Sequence, residues 1–163
     1  MKDFARTYQP QPWHAKIELL RESLESARHG PYEVCFLNMY EDGSDQLGWH
    51  ADDSPEMDDK RSIAIISLGA EREIWLKRRP ELVDQLVMSD PAFKMRGDQM
   101  DAEELKLLRE RYTEVTKVRL GHGSLCIMKP GMQDTHLHRI PKSDSQNCGP
   151  RISLTYRGYT TSE

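Results

Sequence analysis

The strongest constraint on the fold is a series of short strand-like segments that follow one another with few helices between them. Branched and aromatic residues bounded by turn residues recur at 33–40, 47–52, 62–68, 73–77, 113–119, 124–128, 135–140 and 151–158. Consecutive parallel strands would need a helix between each pair. The runs of strands therefore predict a mostly β (α+β) fold, a double-stranded β-helix or jelly roll, in preference to a parallel α/β fold.

Two helical patterns accompany the strands. Apolar residues recur at helical spacing over 13–29, ahead of the first strand. A second stretch, at about 79–112, is rich in strong helix formers, and Asp101 followed by Glu104 has the spacing of a capping box. We expect a single domain over residues 1–163, with a leading helix and a helical insertion at about 79–112.

The composition argues against several classes of protein. The sequence contains no run of about 18 apolar residues, so it predicts no membrane span. The first residues lack the apolar core of a signal peptide, which leads us to expect a cytoplasmic protein. The three cysteines include no CxxC pair, so neither a zinc ribbon nor a redox pair is indicated. A monomer is the simplest expectation for the oligomeric state.

The charge balance gives no overall sign of nucleic-acid binding. The net charge is −4 at pH 7, and the isoelectric point is about 5.9. Binding to nucleic acid would have to come from a local basic patch. Candidate clusters are Lys77-Arg78-Arg79, Lys117 with Arg119, and Lys129 with Arg139 and Lys142. Solvated surface charge is an equally good interpretation of each cluster.

His50 and Asp52 form a candidate pair of metal ligands. In a strand over 47–52 they would point to the same face, because strand residues two apart share a face. Two histidines and one carboxylate with open positions form the typical site of non-haem Fe(II) oxygenases. A histidine hydrogen-bonded to a nearby carboxylate is the competing interpretation of so short a motif.

Spacing alone does not identify the second histidine. Asp134, His136 and His138 would all share one face of the strand predicted around 135–140. Three ligands of these types would suit zinc with a bound water as well as iron. The iron interpretation therefore requires, in addition, a pocket for a cosubstrate.

The last predicted strand carries residues suited to such a pocket. Over 151–157, two arginines, a serine and a threonine alternate with apolar residues, so the polar side chains share one face. Arg151 and Arg157 would lie roughly 20 Å apart along an extended strand and could anchor a dicarboxylic acid, because arginine binds carboxylates in a bidentate manner. Asn38 and Tyr40 likewise share a face. Solvated surface arginines are the competing interpretation.

Taken together, these motifs resemble the AlkB family of 2-oxoglutarate oxygenases. The resemblance covers most of residues 31–158, and its motifs occur in the family's order. They are Asn38-x-Tyr40, DGSDQLGWHADDSP (42–55), SIAIISLGA (62–70), GHGSLCIM (121–128), His138-Arg139-Ile140-Pro141 and RISLTYR (151–157).

The resemblance implies a set of metal ligands and catalytic residues. His50, Asp52 and His138 would bind Fe(II). His138 matches the family's second histidine better than His136 does, because it directly precedes the Arg-Ile-Pro run.

The resemblance also implies residues that bind 2-oxoglutarate. Arg151 would pair with the distal carboxylate, with help from Tyr40 and Ser153. Arg157 and Asn38 would lie at the other end of the cosubstrate.

The activity implied by the family is that of an Fe(II)- and 2-oxoglutarate-dependent dioxygenase that consumes O2. It would remove alkyl groups oxidatively from the nitrogens of nucleobases in DNA or RNA, with single strands favoured. Asp53 matches a position that often contacts the substrate base, although a solvated loop carboxylate explains it equally well. Two alternatives stay open. An oxygenase of the same fold could act on a protein, a free nucleotide or a small molecule, and a binding domain could retain a vestigial iron site.

Two features depart from the family's pattern. Relatives that repair nucleic acid carry a nucleotide-recognition lid before the Asn-x-Tyr strand, with an aromatic residue that stacks on the flipped base. Here 37 residues precede Asn38. None of the aromatic residues Phe4, Tyr8 and Trp13 can be aligned with the stacking residue. The helical insertion at about 79–112 is either a substitute lid, or a surface elaboration or partner-binding element.

Overall fold

The computed structural model describes residues 9–143 and 148–160, so Phe4 and Tyr8 lie outside the described residues. Within these residues the chain forms eight strands and five α-helices. In chain order the elements are α1 (Ala15–Ser26), β1 (Val34–Tyr40), β2 (Leu47–His50), β3 (Ile63–Gly69), β4 (Arg72–Arg78), α2 (Pro80–Ser89), α3 (Pro91–Arg96), a 3-10 turn (Gly97–Gln99), α4 (Ala102–Thr113), β5 (Thr116–Leu120), β6 (Leu125–Met128), α5 (Met132–Thr135), β7 (His136–Ile140) and β8 (Arg151–Arg157).

The strands form two four-stranded antiparallel sheets. The first sheet has the order β1-β8-β3-β6 and the second the order β2-β7-β4-β5. Successive strands thus alternate between the sheets for much of the chain, which is the strand order of a double-stranded β-helix. The predicted jelly roll with a leading helix and added helices is confirmed.

The main core lies between the two sheets, where inward-facing apolar side chains of both sheets meet. Its buried members are Tyr40, Ile63, Ile65, Ile74, Leu120, Met128 and Ile140. Each fully buried large apolar side chain contributes on the order of 1.5–3 kcal/mol relative to exposure. Four of these residues, Tyr40, Ile65, Ile74 and Ile140, also line a pocket between the sheets.

Helix α1 covers the outer face of the first sheet. Its buried Leu24 joins Ala64, Leu154 and Tyr156 in a second apolar cluster. Trp13, just before the helix, stacks on the Tyr156 ring with centroids 6.3 Å apart. This packing explains why β8 is buried on both faces, whereas the competing interpretation made it a surface strand.

The strands differ from the prediction at three places that bear on the candidate site and the helical insertion. Strand β2 ends at His50, after the β2–β7 ladder shifts register, so Asp52 lies in the following loop. The segment predicted as a strand from residue 113 starts at Thr116, because α4 continues to Thr113. Asp134 lies in the one-turn helix α5 and not on a strand face.

Residues 80–113 form a separate helical layer with its own small core. Val83, Val87 and Leu108 are buried there against one another. The predicted capping box is confirmed, because the Asp101 carboxylate accepts from the Glu104 backbone N–H at 2.9 Å and the Glu104 carboxylate accepts from the Asp101 N–H at 3.1 Å. No helix within residues 9–143 and 148–160 is both long and apolar enough to cross a membrane.

Replacing Asp101 with alanine tests how firmly this cap holds α4. Loss of the N-cap acceptor is expected to cost about 1 kcal/mol, which is a roughly fivefold change in the local opening equilibrium. Hydrogen exchange of the α4 amides should accelerate by that factor. Asp98→Ala, three residues earlier in the 3-10 turn, serves as the control; equal exchange in both variants would contradict the capping role.

Candidate metal centre and adjoining pocket

His50, Asp52 and His138 meet between the two sheets. His50 at the end of β2 lies opposite His138 on β7, and the ring centroids are 4.1 Å apart. The Nε2 atoms of both histidines lie 3.8 Å from oxygens of the Asp52 carboxylate. One ligand atom from each residue falls within 4.8 Å of the others, so the three can face one metal ion.

Neighbouring groups orient the ring of His50 and lower the pKa of His138. His50 Nδ1 lies 2.8 Å from the Gly48 carbonyl oxygen. A carbonyl can only accept, so Nδ1 carries a proton, and Nε2 is the ring nitrogen that faces Asp52. Burial, with a smaller contribution from His50, lowers the pKa of His138 to about 4. His138 is therefore neutral at pH 7, as a metal ligand must be.

Asp52 is placed by two contacts from distant parts of the chain. Its backbone N–H donates to the Gln133 side-chain oxygen at 2.9 Å. Arg157 Nη2 donates to its carboxylate at 2.6 Å, and the Asp52 side chain is only 7% exposed. Strand alternation was therefore the wrong reason for pairing His50 with Asp52, because a loop turned inward by Gln133 and Arg157 brings the carboxylate to the histidines.

The two other candidate ligands lie apart from this cluster. His136 Nδ1 pairs with the Thr135 hydroxyl at 2.8 Å, and His136 is not a member of the three-ligand group. Burial, together with nearby Arg78, lowers the pKa of His136. Asp134 is exposed on α5. Of the three candidates, only His138 is brought to His50 and Asp52.

A pocket adjoins the three ligands and contains about 330 Å³ of empty space. Part of this space is open to solvent. The lining includes all five residues expected to bind a cosubstrate, together with apolar side chains from both sheets. They are Asn38, Tyr40, Arg151, Ser153 and Arg157, joined by Leu47, Ile65, Ile74, Ile140 and Thr155.

Arg151 is the most informative residue in this pocket. It is 1% exposed, and its Nε donates to the Ser67 hydroxyl at 2.8 Å. Its Nη1 and Nη2 atoms are buried and have no hydrogen-bond partner among the described residues. An unpaired buried charge is costly, and burial lowers the pKa of Arg151. Two parallel donors in this position fit a carboxylate ligand.

Arg157 lies at the metal end of the same strand. Its Nη2 is bonded to Asp52, and its guanidinium carbon lies 4.5 Å from the centre of the Phe36 ring. Its Nε is buried without a partner among the described residues. The pocket thus offers unpaired donors both near the metal ligands and at Arg151, which fits a dicarboxylate that also reaches a metal ion.

Asp53 lies at the surface beside the metal-ligand loop. Its side chain is 52% exposed and forms an ion pair with Arg79. Arg79 also donates from Nε to the Gln133 carbonyl at 2.9 Å and lies 3.3 Å from Glu81. Asp53 is therefore accessible from solvent, but it is already paired with the residue that leads into α2.

Gln133, Arg79 and Ser67 contact site residues in ways that the sequence did not predict, although Arg79 was named there as part of a basic cluster. Each acts through a contact between residues at least 50 positions apart, such as the Gln133 side chain with the Asp52 backbone. No local pattern signals such contacts. Thr155, on the polar face of β8, had a signal in the strand alternation and also lines the pocket.

Comparison with known proteins identifies the class to which this fold and site belong. The family model of the 2OG-Fe(II) oxygenase superfamily matches residues 3–157. The chain belongs to this superfamily.

The curated relatives support the AlkB resemblance. The chain is 30% identical over 152 residues to alpha-ketoglutarate-dependent dioxygenase alkB homolog 3 of Bos taurus, which covers 93% of this chain and 45% of the relative. It is 32% identical over 126 residues to DNA oxidative demethylase ALKBH2 of Arabidopsis thaliana, which covers 77% of this chain and 37% of the relative. The chain thus spans about half the length, or less, of these relatives. The AlkB-family assignment made from the motifs is confirmed.

A solved structure agrees on the fold. The structure of OsALKBH1 superposes with a TM-score of 0.54 over 96% of this chain and 70% of that chain. Sequence identity is 14%, so this likeness concerns the fold alone.

Replacing Gln133 with alanine tests whether this residue positions Asp52. The Asp52 N–H would lose its acceptor, and loss of such an outer contact typically lowers metal affinity roughly 10–100-fold. Calorimetric titration with Mn(II) would measure the change. Gln133→Glu keeps an acceptor, and Asp134→Ala removes an exposed neighbour on the same helix. Wild-type affinity in Gln133→Ala would refute the positioning role.

Proposed function

We propose that this chain is an Fe(II)- and 2-oxoglutarate-dependent oxygenase that removes alkyl groups from the nitrogens of nucleobases in DNA or RNA. One observation carries the proposal: a cluster of two histidines and one carboxylate shares a pocket with the buried, unpaired Nη1 and Nη2 of Arg151. A zinc hydrolase site would not need that arginine. The relatives' names, a dioxygenase and a DNA oxidative demethylase, support the same chemistry.

The donor set fits the two groups that the family uses. His50, Asp52 and His138 would hold Fe(II) on one face, which leaves positions for a bidentate cosubstrate and for O2. When bound, Fe(II) and 2-oxoglutarate, with O2 as the oxidant, would supply the hydroxylation of a carbon–hydrogen bond with release of succinate and carbon dioxide, and the hydroxylated alkyl group would leave the nitrogen as an aldehyde. Arg151 would bind the distal carboxylate of 2-oxoglutarate.

The remaining pocket residues orient the bound groups and exclude water. Arg157 fixes one oxygen of Asp52 and keeps the other directed towards His138. Tyr40 is 4% exposed, and the centre of its ring lies 5.1 Å from the Arg151 guanidinium carbon, so it shields that end of the pocket. Apolar side chains of both sheets close the walls around the metal ligands, which strengthens the electrostatic interactions inside.

We further propose that single strands are preferred. An enzyme that acts on a base must extract that base from its stack, and the cost is lowest in a strand that is already unpaired. Asp53 would contact the target base, because it is exposed and directly follows the ligand Asp52. Release of Asp53 from Arg79 would accompany substrate binding.

Mass spectrometry of short methylated oligonucleotides tests this proposal. Single-stranded DNA and RNA oligomers with N-methylated bases would be incubated with the protein, Fe(II), ascorbate and 2-oxoglutarate. We expect the methyl mass to disappear with the wild-type protein and to persist with His50→Ala. Intact oligomers together with accumulating succinate would refute the substrate assignment and leave the oxygenase chemistry standing.

One observation favours the second candidate, an oxygenase of this fold that acts on a protein, a free nucleotide or a small molecule. The net charge of −4 opposes nonspecific attraction to a polyanion. The salt dependence of substrate binding separates the two candidates, because phosphate contacts release counterions and give a steep dependence. A flat dependence would favour the second candidate.

A further inference from the structure

Five side chains form an alternating row on the second sheet, which we call the Trp–cation ladder. In spatial order its members are Lys77, Trp49, Arg139, Trp75 and Lys117. The lysine Nζ atoms lie 4.5 Å from the centre of the Trp49 ring and 4.2 Å from that of Trp75. The Arg139 guanidinium carbon lies between the rings, 5.3 Å from Trp49 and 4.4 Å from Trp75.

Strand register explains why residues so distant in sequence form this row. Trp75 on β4 is paired with Arg139 on β7 at one side and with Lys117 on β5 at the other. Ile74, the neighbour of Trp75, is buried in the core between the sheets, so Trp75 and its partners point outward. Trp49 on β2 contacts Lys77 and Arg139, which alternate along their strands with inward-facing residues such as His138, so Trp49 lies on the same outer side.

The ladder carries positive charge that the protein does not neutralise. Lys77, Lys117 and Arg139 have no carboxylate within 4.0 Å among the described residues. Glu73 accepts a hydrogen bond from Trp75 Nε1 at 2.7 Å and faces Arg119 at 4.0 Å. In a chain whose net charge is −4, three unpaired cations on one sheet face form a local basic patch.

We propose that the Trp–cation ladder binds single-stranded nucleic acid beside the base that enters the pocket. Cations along a backbone track, alternating with aromatic rings on which bases stack, are the features by which proteins bind single strands. Lys117 is exposed and Lys77 is half-buried, and each lies at one end of the row. Both can move from a ring face to a phosphate and free Trp75 and Trp49 for bases, while Arg139 stays between the rings.

The position of the ladder relative to the metal ligands is consistent with this role. Trp49 and His50 are consecutive on β2, one on the outer side and one on the inner side. Lys77 leads to Arg79, which pairs with Asp53 in the metal-ligand loop. The ladder and the pocket therefore share β2 and the end of β4. The inference rests on the proposed function, since it concerns how that site holds its substrate.

Binding of an unmodified oligomer tests the ladder without any catalysis. Fluorescence anisotropy with fluorescein-labelled oligo-dT would be measured on the full chain without iron or 2-oxoglutarate. We expect the double variant Lys77→Gln/Lys117→Gln to bind about tenfold more weakly at low salt. The logarithm of the binding constant falls as the logarithm of the salt concentration rises. For the double variant this slope should be less steep by about 1.4, at roughly 0.7 for each of the two lost phosphate contacts. Lys16→Gln, which removes a lysine from α1 beside the first sheet, should match the wild type.

A second measurement distinguishes base stacking from simple attraction to a polyanion. In a Trp13→Phe background, only Trp49 and Trp75 report tryptophan fluorescence, which is excited selectively above the tyrosine absorption. Oligo-dT should quench this emission, whereas polyglutamate should not. Unchanged affinity in the double variant, or polyglutamate binding as tight as that of oligo-dT and without quenching, would overturn the proposal. If the oligomer binds in a way that depends on the ladder but is not dealkylated, the proposed function is refuted and the ladder proposal stands.

Discussion

Replacing His138 with alanine is expected to abolish succinate formation, whereas His136→Ala should retain turnover within about tenfold of the wild type. His138 Nε2 faces the Asp52 carboxylate at 3.8 Å, while His136 is paired with the Thr135 hydroxyl and lies outside the cluster. Loss of an outer contact alone typically lowers metal affinity roughly 10–100-fold, and loss of a direct ligand should exceed that. Mn(II) titration and succinate quantification would measure both effects.

His138 is buried, so a variant that keeps the fold is needed to separate loss of the ligand from loss of structure. His138→Gln retains a polar side chain of similar size, and circular dichroism with thermal unfolding would show that the jelly roll persists. The opposite pattern, with turnover lost in His136→Ala and retained in His138→Ala, would overturn the ligand assignment. Equal loss in both variants would imply that His136 also contributes to catalysis.

Replacing Arg151 with methionine is expected to raise the 2-oxoglutarate concentration needed for half-maximal turnover by about 30-fold or more. Removing one partner of a buried, hydrogen-bonded charge pair costs on the order of 2–5 kcal/mol, and each 1.4 kcal/mol is a factor of ten. Without 2-oxoglutarate the variant should be as stable as the wild type or more stable. The reason is that Nη1 and Nη2 have no partner among the described residues.

Arg72 is a matched control for this experiment. It is also buried, and its guanidinium carbon lies 5.5 Å from the centre of the same Tyr40 ring. Its Nη atoms donate to the carbonyl oxygens of Asp42, Asp45 and Pro141. Arg72→Met should therefore destabilise the fold and leave the 2-oxoglutarate requirement nearly unchanged. If Arg151→Met instead lowered stability and left that requirement unchanged, the cosubstrate pocket would be misassigned.

The runs of strands in the sequence predicted the fold class, and the ordered motifs that resemble the AlkB family predicted which residues group at the site. The polar face of β8 places Arg151 and Arg157 on one side of a strand, and that side faces the pocket. Helix boundaries were predictable where a local signal exists, as at the Asp101 cap. The alternation of side chains along a sequence does not show where the pairing of two strands ends. The prediction that the strand continues through Asp52 was therefore wrong, because β2 ends at His50.

Contacts that depend on tertiary structure were out of reach. Gln133 supports Asp52 across 81 positions, and Arg79 reaches Asp53 across 26. Arg139 was grouped with Lys129 and Lys142 because these residues are near one another in sequence. Register instead pairs Arg139 with Trp75, so the basic surface follows the sheet order and not the order of the chain.

Anaerobic binding of 2-oxoglutarate tests the central claim most directly, namely that the three ligands and Arg151 form one Fe(II) and 2-oxoglutarate site. Calorimetric titration would compare the metal-free protein, the Fe(II)-loaded protein, and Fe(II)-loaded Arg151→Met. We expect tight binding that requires Fe(II) and is weakened at least 30-fold in the variant. Binding that is equal with and without Fe(II), or unaffected by Arg151→Met, would contradict the shared site.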